Sequence, residues 1–248
     1  MSDRRRFAFA LMSSQQALDE VRFGREFYSR ADVARLLDVP VGTIGNWIRG
    51  YRYPVRDEMR SAGPLIVPPK GGRWLSFANL IEAHTVAAFR ASGLSMQKIR
   101  PALAYLVRQL EIDHPLASRH LLTDGAELFF RYLRTEGQSE LVTLLNVSRG
   151  GQVVFDDVVD RYLRRVDWAA DDYAERLWPV GREEGVVIDP RRGFGQPIIA
   201  RRGIRVEDVV HRLQAGEPMA VVADDFGLEQ AEVEAAERFK TRILPRAA

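Results

Sequence analysis

The chain of 248 residues contains no cysteine, which excludes disulfides, thiol nucleophiles and cysteine-based zinc sites and is typical of a cytosolic protein. No run approaches the roughly 18 consecutive apolar residues that a membrane-spanning helix needs. Neither a long apolar segment nor a small-residue cleavage site follows Arg4, Arg5 and Arg6, so we expect no secretory signal. The sequence therefore predicts a cytoplasmic protein without membrane contact.

Catalytic patterns are also missing. The four histidines are scattered and lack metal-ligand spacing, and the sequence contains neither a Gly-x-Ser-x-Gly elbow nor a P-loop. Asp156, Asp157 and Asp160 could together hold a divalent cation. Because arginines follow closely, a charged surface is the commoner explanation. We predict that the chain is not an enzyme and uses no metal or cofactor.

Lysine is scarce, since Lys70, Lys98 and Lys240 are the only lysines and the other 33 of the 36 basic residues are arginines. With 34 acidic residues the net charge is only +2, so the total charge says little about partners. Arginine binds phosphate and carboxylate groups in a bidentate manner better than lysine does. The local placement of arginine is therefore more informative than the total.

A helix-turn-helix pattern begins at Ser29, which is expected to cap the first helix in a capping box. Asp38 stands in the turn, where glycine is usual, and aspartate accepts left-handed backbone better than most residues. Thr43 is expected to cap the second helix, whose inner face carries Ile44 and Trp47. This spacing predicts two helices crossing at a tight elbow.

The outer face of the second helix is suited to DNA. Residues 39–56 contain three arginines and no acidic residue, as a helix in the major groove requires. Residues 64–75 are predicted to form a strand, a basic turn and a second strand, with Ser76 capping the helix that follows. The turn could reach the phosphate backbone or the minor groove. The predicted DNA-contacting residues are Thr43, Asn46, Trp47, Arg49, Tyr51, Arg52, Lys70 and Arg73.

This order of elements, over about residues 27–110, resembles the winged helix-turn-helix domain of the MerR superfamily. The residues that carry the resemblance are Ala34, Trp47, Arg73, Trp74 and Ser76. The chain differs from the family at Asp38, where glycine is usual, and no long dimerising coiled coil follows Leu110. The resemblance implies a winged fold that binds DNA.

The middle of the chain is predicted to form a small antiparallel sheet. Asp124-Gly125 lies between two apolar runs and predicts a hairpin. A second pair of strands is expected from residues 141–147 and 152–158, which are joined through Gly150-Gly151. Residues 175–180 are expected to form a short strand or an extended link.

The last third contains a second elbow. Four residues recur at the spacing of the first elbow, so that Ala34, Asp38, Val39 and Ile44 are matched by Ala223, Gly227, Leu228 and Val233. Residues 213–237 carry seven acidic side chains and no basic one. DNA affinity depends mainly on neutralising phosphates, so this elbow is a poor DNA reader. We expect it to contact protein; a merely solvated acidic surface is the alternative.

Residues 185–240 resemble a small domain found in many bacterial antitoxins. The resemblance rests on Asp189-Pro190, on Gly195 and Pro197, on the run 203–206, and on Leu213 with Gly216. The long form, with a helix-turn-helix region in front, resembles VapB-type antitoxins. Such domains are commonly encoded beside PIN-like ribonuclease toxins, so the resemblance implies a toxin as partner.

The resemblance also implies a mode of inhibition. PIN-like nucleases hold Mg²⁺ with clustered carboxylates, where an inserted arginine could compete with the metal or with RNA phosphate. Residues 191–205 contain five arginines and no carboxylate, and two more arginines lie in the tail. The predicted toxin-contacting residues are Arg191, Arg192, Arg201, Arg202, Arg205, Arg242 and Arg246.

Taken together, these patterns predict a mainly α fold with a small antiparallel β middle region and two helix-turn-helix-like modules, α+β overall. The predicted parts are an N-terminal arm (1–26), a MerR-like winged helix-turn-helix domain (27–112), a small β-containing middle region (113–182) and a C-terminal helix-turn-helix-like antitoxin domain (183–248). The predicted function is that of a type II antitoxin that neutralises a PIN-like ribonuclease and binds its own promoter as autorepressor. We expect a homodimer or a toxin–antitoxin hetero-oligomer. The alternative is a MerR-like regulator that senses a small molecule through the middle region.

Overall fold

The structure is a computed structural model of the chain and describes residues 14–55, 58–69, 72–91, 93, 96–136, 145–147, 153–155 and 157–243. These residues form helices, short antiparallel strand pairs and one larger antiparallel sheet. The predicted α+β fold with two helix-turn-helix modules is confirmed.

The front part (residues 14–163) is mainly helical. Its helices are α1 (Ser14–Asp19), α2 (Arg30–Leu37), α3 (Val41–Arg49), α4 (Phe77–Ala91), α5 (Met96–Leu110), α6 (Ala126–Glu136) and α7 (Asp157–Leu163). Its strands are β1 (Tyr28–Ser29), β2 (Tyr51–Val55), β3 (Glu58–Ala62), β4 (Trp74–Leu75), β5 (Leu145–Val147) and β6 (Val153–Phe155). They form the antiparallel pairs β1–β4, β2–β3 and β5–β6.

The helix α4 lies at the centre of the front part, and every residue from Phe77 to Phe89 is buried. Ser76 caps it as predicted, because the Asn79 backbone N–H donates to the Ser76 hydroxyl and the Ser76 N–H donates to the Asn79 side-chain oxygen, both at 3.2 Å. The other buried polar groups of α4 are also satisfied, for example the Thr85 hydroxyl, which donates to the Leu116 carbonyl at 2.8 Å.

The rear part (residues 166–243) combines a sheet with three helices. Its elements are β7 (Val166–Trp168), β8 (Ala174–Leu177), β9 (Val186–Ile188), β10 (Pro197–Ile199), β11 (Ile204–Arg205), α8 (Val206–Gln214), α9 (Met219–Phe226) and α10 (Gln230–Ile243). The five strands follow one another in the order β11-β10-β9-β8-β7, with antiparallel neighbours. The strand expected within residues 175–180 is therefore confirmed as β8. The predicted division at residues 182–183 falls between β8 and β9, which are neighbours in this sheet.

The structure contains two hydrophobic cores that are in contact with each other. One extends from Tyr28 to Ile188, the other from Val186 to Phe239, and Leu36 of α2 packs against both. The buried Tyr28 hydroxyl donates to the Gly195 carbonyl at 2.6 Å. The front and rear parts are thus packed together.

The hairpin predicted at Asp124-Gly125 is wrong. Residues Leu121–Gly125 form a π-helical turn that continues into α6. Buried residues at Leu121, Phe129 and Leu133 fit a helical face, and this packing overrides the turn preference of the dipeptide. The expected antiparallel pair further along is confirmed as β5–β6.

Candidate nucleic-acid and partner-protein interfaces

The front elbow (residues 30–49) consists of α2, a three-residue turn and α3. The predicted capping box is present: the Ser29 hydroxyl accepts the Asp32 N–H at 3.2 Å, and the Asp32 carboxylate accepts the Ser29 N–H at 2.9 Å. Asp38 ends α2 with φ 53° and ψ 49°, which confirms the predicted left-handed conformation. The Val39 N–H then donates to the Ala34 carbonyl at 2.9 Å and closes the turn.

The inner face of α3 holds this helix in the core. Ile44 and Trp47 are 0% and 1% exposed, so the prediction that Trp47 contacts DNA is wrong; its indole anchors the helix instead. Thr43 is not the helix cap that was predicted either, because α3 begins after Pro40. The ring of Pro40 fixes φ near the helical value, here −59°, and favours a helix start at this point.

The outer face of α3 presents the predicted polar groups. Asn46 and Arg49 are exposed, and Thr43 is half-buried with its hydroxyl 3.4 Å from a guanidinium nitrogen of Arg90. Neighbouring positions on β2 carry Arg52, which is exposed, and Tyr51, which is half-buried. Polar groups and arginines thus continue from the recognition helix into the next strand.

The wing is the hairpin β2–β3, which follows α3 directly. Gly50 makes the connection with φ 72°, and a Cβ there would lie 2.1 Å from the Ala62 carbonyl oxygen, so only glycine fits. The strand–turn–strand predicted over residues 64–75 is wrong, because residues 64–69 form no strand. Three prolines in that segment lack the N–H groups that a strand ladder needs. Trp74–Leu75 pairs with β1 instead.

The two residues predicted for the tip of the wing are not part of the β2–β3 hairpin. Arg73 is exposed next to β4, and Lys70 lies outside the described residues.

Arg100 positions the recognition helix and the wing, and sequence reasoning missed it. Its guanidinium is buried and donates to the Asn46 carbonyl at 2.9 Å and also to the Gly63 carbonyl, so it joins α3 to the end of the wing. It also lies over the Tyr51 ring, 5.1 Å from the centroid. Burial lowers its pKa from the ordinary value. The available signal was its position beside Ile99 on the buried stripe of α5.

The rear elbow (residues 219–243) repeats the front elbow's backbone. Its first helix, α9, has eight residues like α2, and a three-residue turn again follows. Gly227 ends α9 with φ 61° and ψ 36°, and the Leu228 N–H donates to the Ala223 carbonyl at 2.8 Å. The two predicted elbows are therefore both present with equivalent turns.

Ion pairs neutralise part of the acidic surface of the rear elbow. Arg212 contacts both Glu217 and Asp225, the latter at 2.7 Å. Arg201 contacts Glu232 at 2.9 Å, and Arg238 lies 3.8 Å from Glu234. The other three acidic side chains of this surface form no ion pair within the described residues; they are Asp224, Glu229 and Glu237.

The arginine run 191–205 is free of carboxylates in sequence but not in space. Arg191 lies 2.8 Å from Glu175 and 3.2 Å from Asp189, which closely precedes the run. Arg205 forms a 2.6 Å ion pair with Asp208, and Arg201 is the partner of Glu232. These three predicted toxin-contacting arginines are engaged within the chain.

The remaining predicted arginines differ from these. Arg192 and Arg202 are exposed, and their guanidinium groups donate to the backbone carbonyls of Ala200 and Gly227. The charge of Arg202 also helps to lower the pKa of Glu232, after the larger effect of Arg201. Arg242 is exposed in the last turn of α10, and Arg246 lies outside the described residues.

Phe194 is a second residue that the sequence did not single out. Its side chain is 78% exposed, the highest value among the large apolar residues of the described segments. Its backbone is left-handed, with φ 55° and ψ 37°, between two glycines that are also left-handed. Non-glycine residues in this conformation are strained, and such strain is concentrated at functional sites. The two glycines that flank Phe194 in the sequence could have indicated this left-handed backbone.

The described part of the chain shows neither a metal-binding cluster nor a membrane-spanning helix. No group of three or more histidine, aspartate or glutamate side chains there could hold a metal ion, and Asp156 of the predicted cluster lies outside it. None of its helices is both long and apolar enough to cross a bilayer.

Two family profiles match the chain and define its class. The profile described as "Putative DNA-binding HTH domain" matches residues 26–103, and the one described as "Protein of unknown function (DUF433)" matches residues 186–239. The chain is thus a helix-turn-helix DNA-binding domain joined to a DUF433 domain. The "Putative antitoxin VapB45" of Mycobacterium tuberculosis is 38% identical over 227 residues, which cover 88% of this chain and 94% of that protein. The chain belongs to this family of helix-turn-helix antitoxins, which confirms the resemblance to VapB-type antitoxins.

Two further relatives come from the same organism. The "Uncharacterized protein Rv2308" is 26% identical over 218 residues, covering 85% of this chain and 88% of that protein. The crystal structure of Rv2018 matches with a TM-score of 0.70 at 35% identity, covering 87% of this chain and 99% of that chain.

Proposed function

We propose that this chain is the antitoxin of a type II toxin–antitoxin pair: the front elbow binds the chain's own promoter as autorepressor, and the rear part neutralises a PIN-like ribonuclease. The observation that carries the proposal is the presence of two elbows with equivalent turns and different surface charge, in a chain 38% identical to a protein named as an antitoxin. In this function the chain is a non-catalytic cytoplasmic regulator.

The exposed groups of the front elbow support the DNA-binding half. Asn46 and Arg49 extend from α3, and Arg52 extends from the wing that Arg100 holds against the helix. Asparagine and arginine are the side chains that read adenine and guanine in the major groove. A single helix-turn-helix contacts few base pairs, so we propose a two-fold homodimer, or a toxin–antitoxin hetero-oligomer, on two half-sites.

The loop 191–203 supports the toxin-binding half. Arg192 and Arg202 are exposed, and neither donates a hydrogen bond to a carboxylate in the described segments. The charge of Arg202 helps to lower the pKa of Glu232, but that carboxylate is already bound by Arg201, so donors of both arginines are available to a carboxylate cluster on a partner. Exposed Phe194 lies in the same loop and could anchor the contact, since aromatic and arginine side chains dominate protein interfaces. The proposed inhibitory residues are therefore Arg192 and Arg202, with Phe194 as an apolar anchor.

An RNA-cleavage titration tests the toxin half. The full chain is added to the purified product of the neighbouring gene, and cleavage of an RNA substrate is measured against the molar ratio of the two proteins. We expect complete inhibition near a fixed ratio. Arg192→Glu with Arg202→Glu should weaken inhibition at least about ten-fold, because reversed charge would repel the carboxylates.

Arg205→Gln is the matched control, because Arg205 is already paired with Asp208. It should change inhibition by less than about two-fold. Unchanged cleavage in the presence of a large excess of the chain would reject the toxin half and leave the DNA-binding half standing.

A further inference from the structure

A cavity of about 270 Å³ lies where the front elbow, α4 and the end of α10 come together. It is lined by residues 35–40 of the front elbow, by Arg90 of α4, by Arg165 just after α7, and by Arg242 of α10. We call it the arginine cavity. Because these residues come from both parts of the chain, the cavity is located at the contact between the two parts.

The charge of the lining is strongly positive. Four arginines, which are the three above and Arg35, face a single carboxylate in the lining, that of Asp38. Arg35 is already paired with Asp32. The other three form no ion pair with any side chain in the described ranges of the chain. Arg90 and Arg242 are exposed, so solvent screens part of their mutual repulsion, and a bound anion would offset the remainder.

Arg90 and Arg165 are held in place but keep donors free. Arg90 reaches the Thr43 hydroxyl at 3.4 Å, and Arg165 donates to the Pro179 carbonyl at 3.1 Å with its guanidinium over the ring of Tyr162, 5.0 Å from the centroid. Each guanidinium has five N–H groups, so most remain available. Planar guanidinium groups match the oxygen spacing of phosphate.

The neighbouring imidazole adds no charge to the lining. His84 is buried, its Nε2 is 2.8 Å from the Tyr162 carbonyl, and burial lowers its pKa to about 4. It is therefore neutral near pH 7, and the positive charge of the cavity comes from the arginines alone.

We propose that the arginine cavity is a binding site for a small phosphorylated anion. Its volume is close to the lower end of the roughly 300–1,000 Å³ of small-molecule sites, which suits a compact molecule with one or two phosphate groups. Contacts to Arg90, Arg165 and Arg242 would let such an anion bridge α4, the end of α7 and α10. The three arginines are not among the groups proposed above to contact promoter DNA or a toxin, although Arg90 contacts Thr43 at the edge of the DNA-facing side of α3.

Inorganic pyrophosphate is the probe for this site. Its binding to the full chain is measured by isothermal titration calorimetry, with sodium chloride at matched ionic strength as the reference for screening. Arg165→Gln and Arg242→Gln should each weaken pyrophosphate binding about ten-fold or more, since each removes a charged hydrogen-bond donor. Arg242 is exposed in a terminal turn, so this variant tests the site even where the other unfolds.

Arg161→Gln is the matched control, because Arg161 is exposed on α7 but does not line the cavity. It should bind pyrophosphate like the parent chain. Equal affinities of the parent, Arg165→Gln and Arg242→Gln would overturn the proposal. So would competition by promoter duplex DNA together with weaker duplex binding by Arg165→Gln, since the phosphate source would then be the DNA backbone.

Discussion

The front and rear elbows have equivalent backbones and different surfaces. Both join an eight-residue helix to a second helix through a three-residue turn whose first residue is left-handed, Asp38 in front and Gly227 at the rear. Local packing therefore determines the elbow, and the outward side chains determine its partner. A helix-turn-helix shape alone does not establish DNA binding.

The second helices of the two elbows show where the surfaces differ. Aligned on the cap residues, exposed Asn46 corresponds to Ala235, which is only 5% exposed. Arg49 corresponds to Arg238, whose guanidinium is 3.2 Å from Glu184. The face that is open in front is thus partly covered and neutralised at the rear.

The largest expected effect concerns the anchor of the front elbow. Trp47→Ala should lower the free energy of unfolding by about 3–5 kcal/mol, because it leaves a cavity under α3. The corresponding rear residue, Ala236, is also fully buried but has a single methyl to lose, so Ala236→Gly should cost only about 1 kcal/mol. Denaturant unfolding of the full chain measures both. A loss below about 1 kcal/mol for Trp47→Ala would contradict the anchoring role.

The next largest effect is a pH dependence of the unfolding free energy, which arises from a buried histidine in the front core. Burial lowers the pKa of His84 from 6.5 to about 4, so the unfolded chain binds a proton in this window that the folded chain does not. The contribution of His84 to stability is complete above pH 6.5 and should fall by about 3 kcal/mol as the pH drops to 4.

The variant His84→Gln tests this dependence, because the glutamine amide nitrogen lies near the position of the histidine Nε2 and can donate to the Tyr162 carbonyl but does not titrate. Its unfolding free energy should fall less steeply between pH 6.5 and pH 4 than that of the parent chain. His211→Gln, at an exposed position of α8, serves as the control and should keep the parent profile. Identical profiles for His84→Gln and the parent would contradict the prediction.

A smaller effect follows from exchanging the cap residues. Gly227→Ala should cost about 1 kcal/mol, because a left-handed backbone strains a residue with a Cβ atom. Asp38→Gly should gain up to about 1 kcal/mol for the same reason. Gly42→Ala is the matched control: its Cβ would meet no atom within 4 Å, and its helical position should make the change stabilising. The thermal unfolding midpoints of the three variants rank their stabilities. A lower midpoint for Asp38→Gly than for the parent chain would contradict the prediction.

The sequence was sufficient for both elbows because their signals are local. Capping at Ser29, the left-handed cap at Asp38 and the matching residues around Gly227 depend on neighbours within a few positions. Two other local signals were misleading. The dipeptide Asp124-Gly125 lies in a helical turn that packs against the core and does not form a hairpin. Residues 64–69 contain three prolines and form no strand, and the wing is formed by β2 and β3 instead.

The candidate sites were predictable only in part for the same reason. Asn46 and Arg49 are exposed, as the helical period indicated. In contrast, Arg201 is paired with Glu232 and Arg191 with Glu175, and both glutamates are far in sequence from residues 191–205. Such pairings depend on the tertiary fold. The composition of residues 191–205 could not distinguish those arginines from the exposed ones.

The salt dependence of DNA binding tests most directly whether the front elbow alone reads DNA. The affinity of the full chain for a duplex from upstream of its own coding sequence is measured over a range of salt concentrations. We predict that Arg49→Ala with Arg52→Ala lowers the affinity and reduces the slope of log K against log salt by about two. Glu229→Gln with Glu237→Gln at the rear elbow should leave the slope unchanged. A front variant that binds like the parent, with a rear variant whose slope changes, would contradict the account.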